Sequence, residues 1–99
     1  MERSYSVYVI ELSDEAGTRR RADKPCVYVG QTVHTPQERF HQHRSGYKAA
    51  GCVKRYGLRL RPRLYESWNP IATREDALAA EARLADRLAR RGFTVFGGH

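Results

Sequence analysis

A chain of 99 residues that is 40% hydrophobic and 10% aromatic is long enough for one domain with a modest core, and too apolar for a disordered protein. No apolar run is long enough to cross a bilayer, and the N-terminus lacks the basic and then apolar layout of a signal peptide. The 18 Lys and Arg residues outweigh the 11 Asp and Glu residues, which gives a net charge of +7. We therefore expect a cytoplasmic single domain over residues 1–99 that has no membrane partner and binds a polyanion such as nucleic acid.

Two short apolar segments predict the first pair of strands. Residues 5–12 are rich in β-branched and aromatic side chains, and residues 25–30 form a second such run that stops at Gly30. An antiparallel pairing is the simplest arrangement, and it places Tyr8 and Tyr28 on neighbouring strands. The polar segment 14–24 between the strands is expected to be a long, mobile connection.

A helix start follows the second strand. Thr35 is suited to the cap position, Pro36 to the first helical position, and Glu38 completes a capping box three residues after the cap. The helix is expected to cover residues 36–44 and to end at the following Ser-Gly pair.

Two side chains of this first helix attract attention because they lie four residues apart. Arg39 and His43 therefore share one helix face. We expect Phe40 to face the core and the other two side chains to flank it on a more accessible side. These two side chains lie beside a tyrosine on a strand and a turn at a glycine. Such a group can bind a phosphate.

All the charged residues in the middle of the chain are basic. No acidic residue occurs between Glu38 and Glu66, and a solvated basic face is the simple alternative to a binding surface. A short helix is expected around Val53. The alternation of residues 58–65 predicts a strand with a basic outer face, and Pro62, which cannot donate to the ladder, suggests an edge position. The basic residues of this segment are Arg39, Arg44, Lys48, Lys54, Arg55, Arg59, Arg61 and Arg63.

A second, longer helix is predicted from the Thr73 cap to Arg91, where Gly92 breaks it, and residues 93–96 are expected to form a last short strand. The apolar stripe of this second helix has one charged member, Glu81. A carboxylate aimed inward needs a cation, a metal or hydrogen-bond donors, and pairing with an arginine at the edge of the core is the structural alternative. The stripe consists of Ala77, Leu78, Leu84, Ala85 and Leu88.

These features together resemble the GIY-YIG nuclease superfamily, in particular its small single-domain members. Tyr8 stands in the first motif and the run from Tyr28 to Gly30 in the second, although the first motif lacks its usual glycine and isoleucine. Arg39 and His43 match the first-helix pair, and Glu81 matches the glutamate of the later helix. The family's C-terminal asparagine has no counterpart here, and His99 or a nearby main-chain group is the expected substitute.

The resemblance implies an α+β fold with a small, mostly antiparallel three-stranded sheet flanked by helices. It also implies a metal-dependent endonuclease that hydrolyses phosphodiester bonds, in DNA rather than RNA, with Glu81 holding one Mg²⁺ or Mn²⁺. We expect no separate recognition domain, so sequence specificity is expected to come from the loops or from a protein partner. The alternatives are an inactive nucleic-acid-binding module of the same fold and a basic interaction protein without catalysis.

The roles implied for the site residues follow from phosphodiester chemistry. Arg39 would clamp a phosphate oxygen, and Tyr8, Tyr28 or His43 would orient or deprotonate the attacking water. A free tyrosine has a pKa of about 10, so we expect nearby cations to lower the pKa of a catalytic tyrosine. The residues expected to contact nucleic acid are Gly30, Thr32, Arg44, Tyr47, Lys48, Lys54, Arg55, Arg59 and Arg61.

Overall fold

A computed structural model describes residues 4–97 as an α+β fold built on a four-stranded mixed sheet. The strands are β1 (Ser6–Leu12), β2 (Cys26–Thr32), β3 (Gly57–Leu60) and β4 (Thr94–Gly97), and the helices are α1 (Pro36–Ser45), α2 (Gly51–Tyr56) and α3 (Arg74–Arg90). The spatial order is β3-β1-β2-β4, with β1 antiparallel to both of its neighbours and β4 parallel to β2. The expected mostly antiparallel pairing is confirmed for both neighbours of β1, but the sheet has four strands rather than three, and the fourth, β4, is parallel to β2.

The sheet is buried on both faces. Val7 and Val9 point to one side of β1 and Tyr8 and Ile10 to the other, and all four are at most 2% exposed. Helices α1 and α2 pack against β1, while α3 packs against β1, β2 and β4. The β-branched composition that predicted the strands suits this two-sided burial.

Strand β3 is shorter than the alternation of residues 58–65 predicted. It ends at Leu60, and Pro62–Leu64 forms a 3-10 turn. Proline lacks the N–H that would continue the ladder, so the chain leaves the sheet at that point. Leu58 is also exposed rather than turned to the core.

Beyond β3, the free edge of β1 is covered by other groups. The Arg61 N–H donates to the Val9 carbonyl at 2.8 Å. The Asn69 side chain accepts from the Val7 N–H at 2.8 Å and donates to the Val7 carbonyl at 2.9 Å. This amide takes the place of a neighbouring strand, which satisfies backbone groups that an edge would otherwise leave unpaired.

Both principal helices begin as predicted. Thr35 and Glu38 form the reciprocal capping box of α1, and Thr73 accepts from the Asp76 N–H at the start of α3. Leu78, placed in the apolar stripe of α3 from the sequence, is instead 39% exposed. The Leu78 side chain is rotated about the helix axis by about 100° from that of Ala77, so it lies outside the buried face of the helix.

The connection between β1 and β2 is anchored rather than free. The Arg20 N–H donates to the Thr94 hydroxyl at 2.8 Å, and the Arg20 guanidinium donates to the Ala89 carbonyl at 3.0 Å. These contacts fasten the connection to the end of α3 and to β4, which corrects the expectation of a mobile loop. Within residues 4–97, no helix has the length and apolarity needed to span a membrane.

Candidate active site

The site is built on the cross-strand pair of Tyr8 and Gly30. The two residues are direct partners in the antiparallel register of β1 and β2, and the Tyr8 ring lies across the glycine. A Cβ at position 30 would lie 2.6 Å from Tyr8 Cζ, which is far inside van der Waals contact. Gly30, which ends the second apolar run, is therefore required because a residue with a Cβ would leave no space for the tyrosine ring.

Helix α1 brings His43 onto the same face of the sheet. His43 Nε2 and the Tyr8 hydroxyl oxygen are 2.9 Å apart, and the Ala50 N–H donates to His43 Nδ1 at 3.1 Å. The His43 side chain is fully buried and Phe40 only partly so. Phe40 packs against the core as expected, but the expectation that His43 lies on a more accessible side is wrong.

These contacts determine which nitrogen of the His43 ring carries the proton. Nδ1 accepts a hydrogen bond from Ala50, so the single proton of a neutral imidazole resides on Nε2 and is donated to Tyr8. Burial, assisted by the charge of Arg39, lowers the pKa of His43 to about 4. His43 is therefore neutral at neutral pH, and neither ring nitrogen is left to accept a proton from water.

Two tyrosines lie side by side at this position. The Tyr8 and Tyr28 ring centroids are 6.3 Å apart, and Tyr28 meets the His43 ring edge-on at 5.6 Å. Burial raises the pKa of both hydroxyls, and Arg39 opposes that shift. The loss of hydration outweighs the attraction of one guanidinium, so a lowered pKa of a catalytic tyrosine stays a prediction for the metal-bound site.

Arg39 connects the site to the loop between α1 and α2. Its guanidinium donates to the carbonyl of Lys48 at 2.8 Å and to that of Tyr47 at 3.3 Å. It also lies close enough to Tyr8 and Tyr28 to act on the pKa of each. The same loop carries the Ala50 N–H that binds His43, so Arg39 helps to hold the histidine in place from outside.

Glu81 enters the site from α3. It is 8% exposed, as its place in the apolar stripe predicted, and its charge contributes to raising the pKa of Tyr8 and of Tyr28. Residues 4–97 contain no group of three or more His, Cys, Asp or Glu side chains arranged to hold a metal ion. A single carboxylate nevertheless suits Mg²⁺, which retains water and takes its other ligands from substrate phosphates.

The residues expected to contact nucleic acid fall into two groups. Gly30 and Thr32 are buried, and their contacts are internal: the glycine lies under Tyr8, and the Thr32 hydroxyl accepts from the His34 N–H at 3.0 Å. Arg61 is half-buried and pairs with Glu11. The exposed members are Arg44, Tyr47, Lys48, Lys54, Arg55 and Arg59, of which Arg59 also pairs with Glu11.

Two contributors to the site were not predicted from the sequence. Ala50 acts through its backbone N–H, so no side-chain pattern could reveal it. Asn69 holds the β1 edge that carries Tyr8, although its position before α3 excluded it as the family's C-terminal asparagine. The expected substitute, His99, lies outside the described residues.

Strands β1 and β2 and helices α1 and α3 thus bring two tyrosines, an arginine, a histidine and a buried glutamate into one cluster on an α+β fold, which is the constellation of a GIY-YIG-type nuclease domain. The family model of the GIY-YIG catalytic domain matches residues 4–93. The chain therefore belongs to the GIY-YIG family. No curated protein and no solved structure matches the chain.

Proposed function

We propose that this protein is a divalent-metal-dependent endonuclease that hydrolyses phosphodiester bonds in nucleic acid, with DNA as the preferred substrate. The observation that carries the proposal is the convergence of Glu81 with Tyr8 and Tyr28, whose pKa values are both affected by its charge. A buried carboxylate beside two tyrosines and an arginine combines a metal ligand, hydrogen-bonding hydroxyls and a phosphate clamp.

Tyr8 is the group proposed to orient the attacking water. The His43 N–H fixes the position of its hydroxyl oxygen, and Arg39 also hydrogen-bonds to that oxygen, so the phenolic proton is left for a water molecule or a phosphate oxygen. His43 is thus a positioning residue rather than the general base. Tyr28, whose ring lies beside that of Tyr8, is the second group available to water.

Arg39 is proposed to bind a non-bridging oxygen of the scissile phosphate. Its guanidinium is planar and permanently charged, and the Gln42 side chain and the two loop carbonyls use three of its five N–H donors. A divalent cation held by Glu81 would supply positive charge at the phosphate and at the leaving oxygen. Arg44, Lys48, Lys54 and Arg55 extend an exposed basic surface for the flanking phosphates.

The test compares Glu81→Gln with Glu75→Gln. Both substitutions remove one carboxylate from α3, but Glu75 lies exposed in its first turn. Supercoiled, branched and single-stranded DNA, and RNA, are incubated with Mg²⁺ or Mn²⁺ and with a chelator. We expect cleavage that requires metal and disappears in Glu81→Gln but persists in Glu75→Gln, with both variants folded by circular dichroism.

Two outcomes would overturn the proposal. Cleavage that persists in Glu81→Gln would show that the carboxylate is not needed for the reaction. Salt-sensitive binding without cleavage of any substrate would instead support the alternative, a nucleic-acid-binding module of the same fold.

A further inference from the structure

A second basic site lies away from the tyrosine cluster. A cavity of about 130 Å³ opens between the C-terminal half of α3 and residues 63–68. We call it the arginine pocket and define it by Arg63, Trp68, Arg87 and Arg91, which stand around a floor that includes Leu84 and Leu88. Both leucines are 1% exposed, so the floor is part of the core.

No ion pair within residues 4–97 involves a guanidinium group of this pocket. The ion pairs of the described chain engage Arg19, Arg21, Arg59, Arg61 and Arg90 instead. Three arginines that converge without such an ion pair repel one another, and a bound anion relieves that repulsion. The planar fork of arginine is suited in particular to phosphate.

Trp68 adds an apolar, aromatic wall to this cationic rim. Its side chain is half-buried against the core. An indole beside arginines is the combination on which bases of a nucleic-acid strand stack while the backbone is neutralised. The volume is close to that of an engineered cavity of about 150 Å³ that admits benzene, so the pocket has room for a single phosphate or ring.

The position of the pocket sets it apart from the catalytic cluster. Arg87 and Arg91 follow Glu81 on α3 by 6 and 10 residues, which corresponds to ~9 Å and ~15 Å along the helix axis. The residues of the pocket are also separate from the basic surface of Arg44, Lys48 and Lys54.

We infer that the arginine pocket is a second nucleic-acid site, which binds one backbone phosphate through its guanidinium groups and stacks the adjoining base on Trp68. The inference rests on the proposed function only in taking nucleic acid as the ligand. It adds a contact that positions the strand without taking part in the cleavage step.

The test uses Trp68 itself as the reporter, because it is the only tryptophan of the chain. A short single-stranded DNA, a mononucleotide and inorganic phosphate are titrated separately into the full chain in chelator, so that binding is measured without cleavage. The double variant Arg87→Gln/Arg91→Gln is compared with Arg74→Gln/Arg83→Gln. The control removes the same charge from exposed positions of the same helix that have no ion pair in the described chain.

We expect DNA to quench Trp68 fluorescence in the wild type and in the control, and to do so only weakly in the pocket variant. The slope of log affinity against log salt should fall by about 1 in the pocket variant, as for the loss of one phosphate contact. Arg63→Gln should show the same trend, and because Arg63 lies outside α3 it does not depend on the stability of that helix.

Three results would overturn the inference. The first is that the pocket variant and the control bind DNA with equal affinity and equal quenching. The second is that DNA leaves the wild-type fluorescence unchanged. In the third case, the mononucleotide or phosphate would bind as tightly as DNA, which assigns the pocket to a free anion. Because the titration is done in chelator, a failure of the proposed cleavage activity would not affect it.

Discussion

Gly30 faces Tyr8 across the central pair of strands so closely that a methyl group between them would lie 2.6 Å from Tyr8 Cζ. The Tyr8 ring is 2% exposed and joined to His43, so it cannot turn aside without breaking that contact. The small residue on β2 therefore determines where the hydroxyl of β1 lies, and this dependence can be tested directly.

The substitution Gly30→Ala is expected to destabilise the protein by about 1–3 kcal/mol, as overpacking of a core does, and to reduce cleavage by moving the Tyr8 hydroxyl. Gly51→Ala is the matched control, since a Cβ at that position meets nothing within 4 Å. Urea denaturation and a cleavage assay provide the measurements. Equal stability and activity of the two variants would show that the ring has room to move.

The buried histidine predicts a dependence of stability on pH. The pKa of His43 is lowered from 6.5 to about 4 by burial and Arg39, so the unfolded chain binds more protons than the folded protein between these values. The free energy of unfolding therefore rises with pH through this window, and its His43 component, at most about 3 kcal/mol, is lost as the pH falls from 6.5 towards 4.

Urea denaturation of the wild type and of His43→Gln at pH 7 and pH 5 measures this contribution. The glutamine cannot be protonated, so the loss of stability between the two pH values should be smaller in the variant. Parallel curves for the two proteins would assign the acid sensitivity to the carboxylates instead.

Arg39→Lys keeps the positive charge but loses the fork that reaches the Lys48 and Tyr47 carbonyls. We expect a decrease in kcat of ~10²-fold, the magnitude typical of a lost transition-state donor. Arg44→Lys is the control, because Arg44 is exposed and makes one long contact, at 3.4 Å, to the Gly57 carbonyl. A similar small decrease in both variants would show that charge alone matters at position 39.

Asn69→Ala should destabilise the sheet, because it removes the two hydrogen bonds to Val7 and leaves a backbone donor and acceptor without partners. The expected decrease in the free energy of unfolding is about 1–3 kcal/mol. Gln37→Ala is a control at an exposed position of α1 that makes no side-chain hydrogen bond within the described chain. Hydrogen exchange at the Val7 amide should also become faster in the Asn69 variant alone.

Local rules accounted for the elements with strong signals. The capping residues Thr35 and Thr73 marked both helix starts, and Gly46 and Gly92, with φ values of +93° and +100°, follow the helix ends as predicted. The inward position of Glu81 was also read correctly from helical spacing. The length of β3 was not predicted correctly from the sequence, because the alternation continues past Leu60 while Pro62 interrupts the ladder.

The sequence by itself determined where helices and strands begin, which face of α3 is buried, and which family the chain resembles, because capping, periodicity and motif spacing are local properties. The tertiary structure alone decided the parallel position of β4, the burial of His43 and the direction of its hydrogen bonds, and the raised pKa values of the tyrosines. It also decided the role of Asn69 and the meeting of three arginines around Trp68. Each of these depends on groups far apart in the chain, whose approach is set by packing and by the loss of water around them.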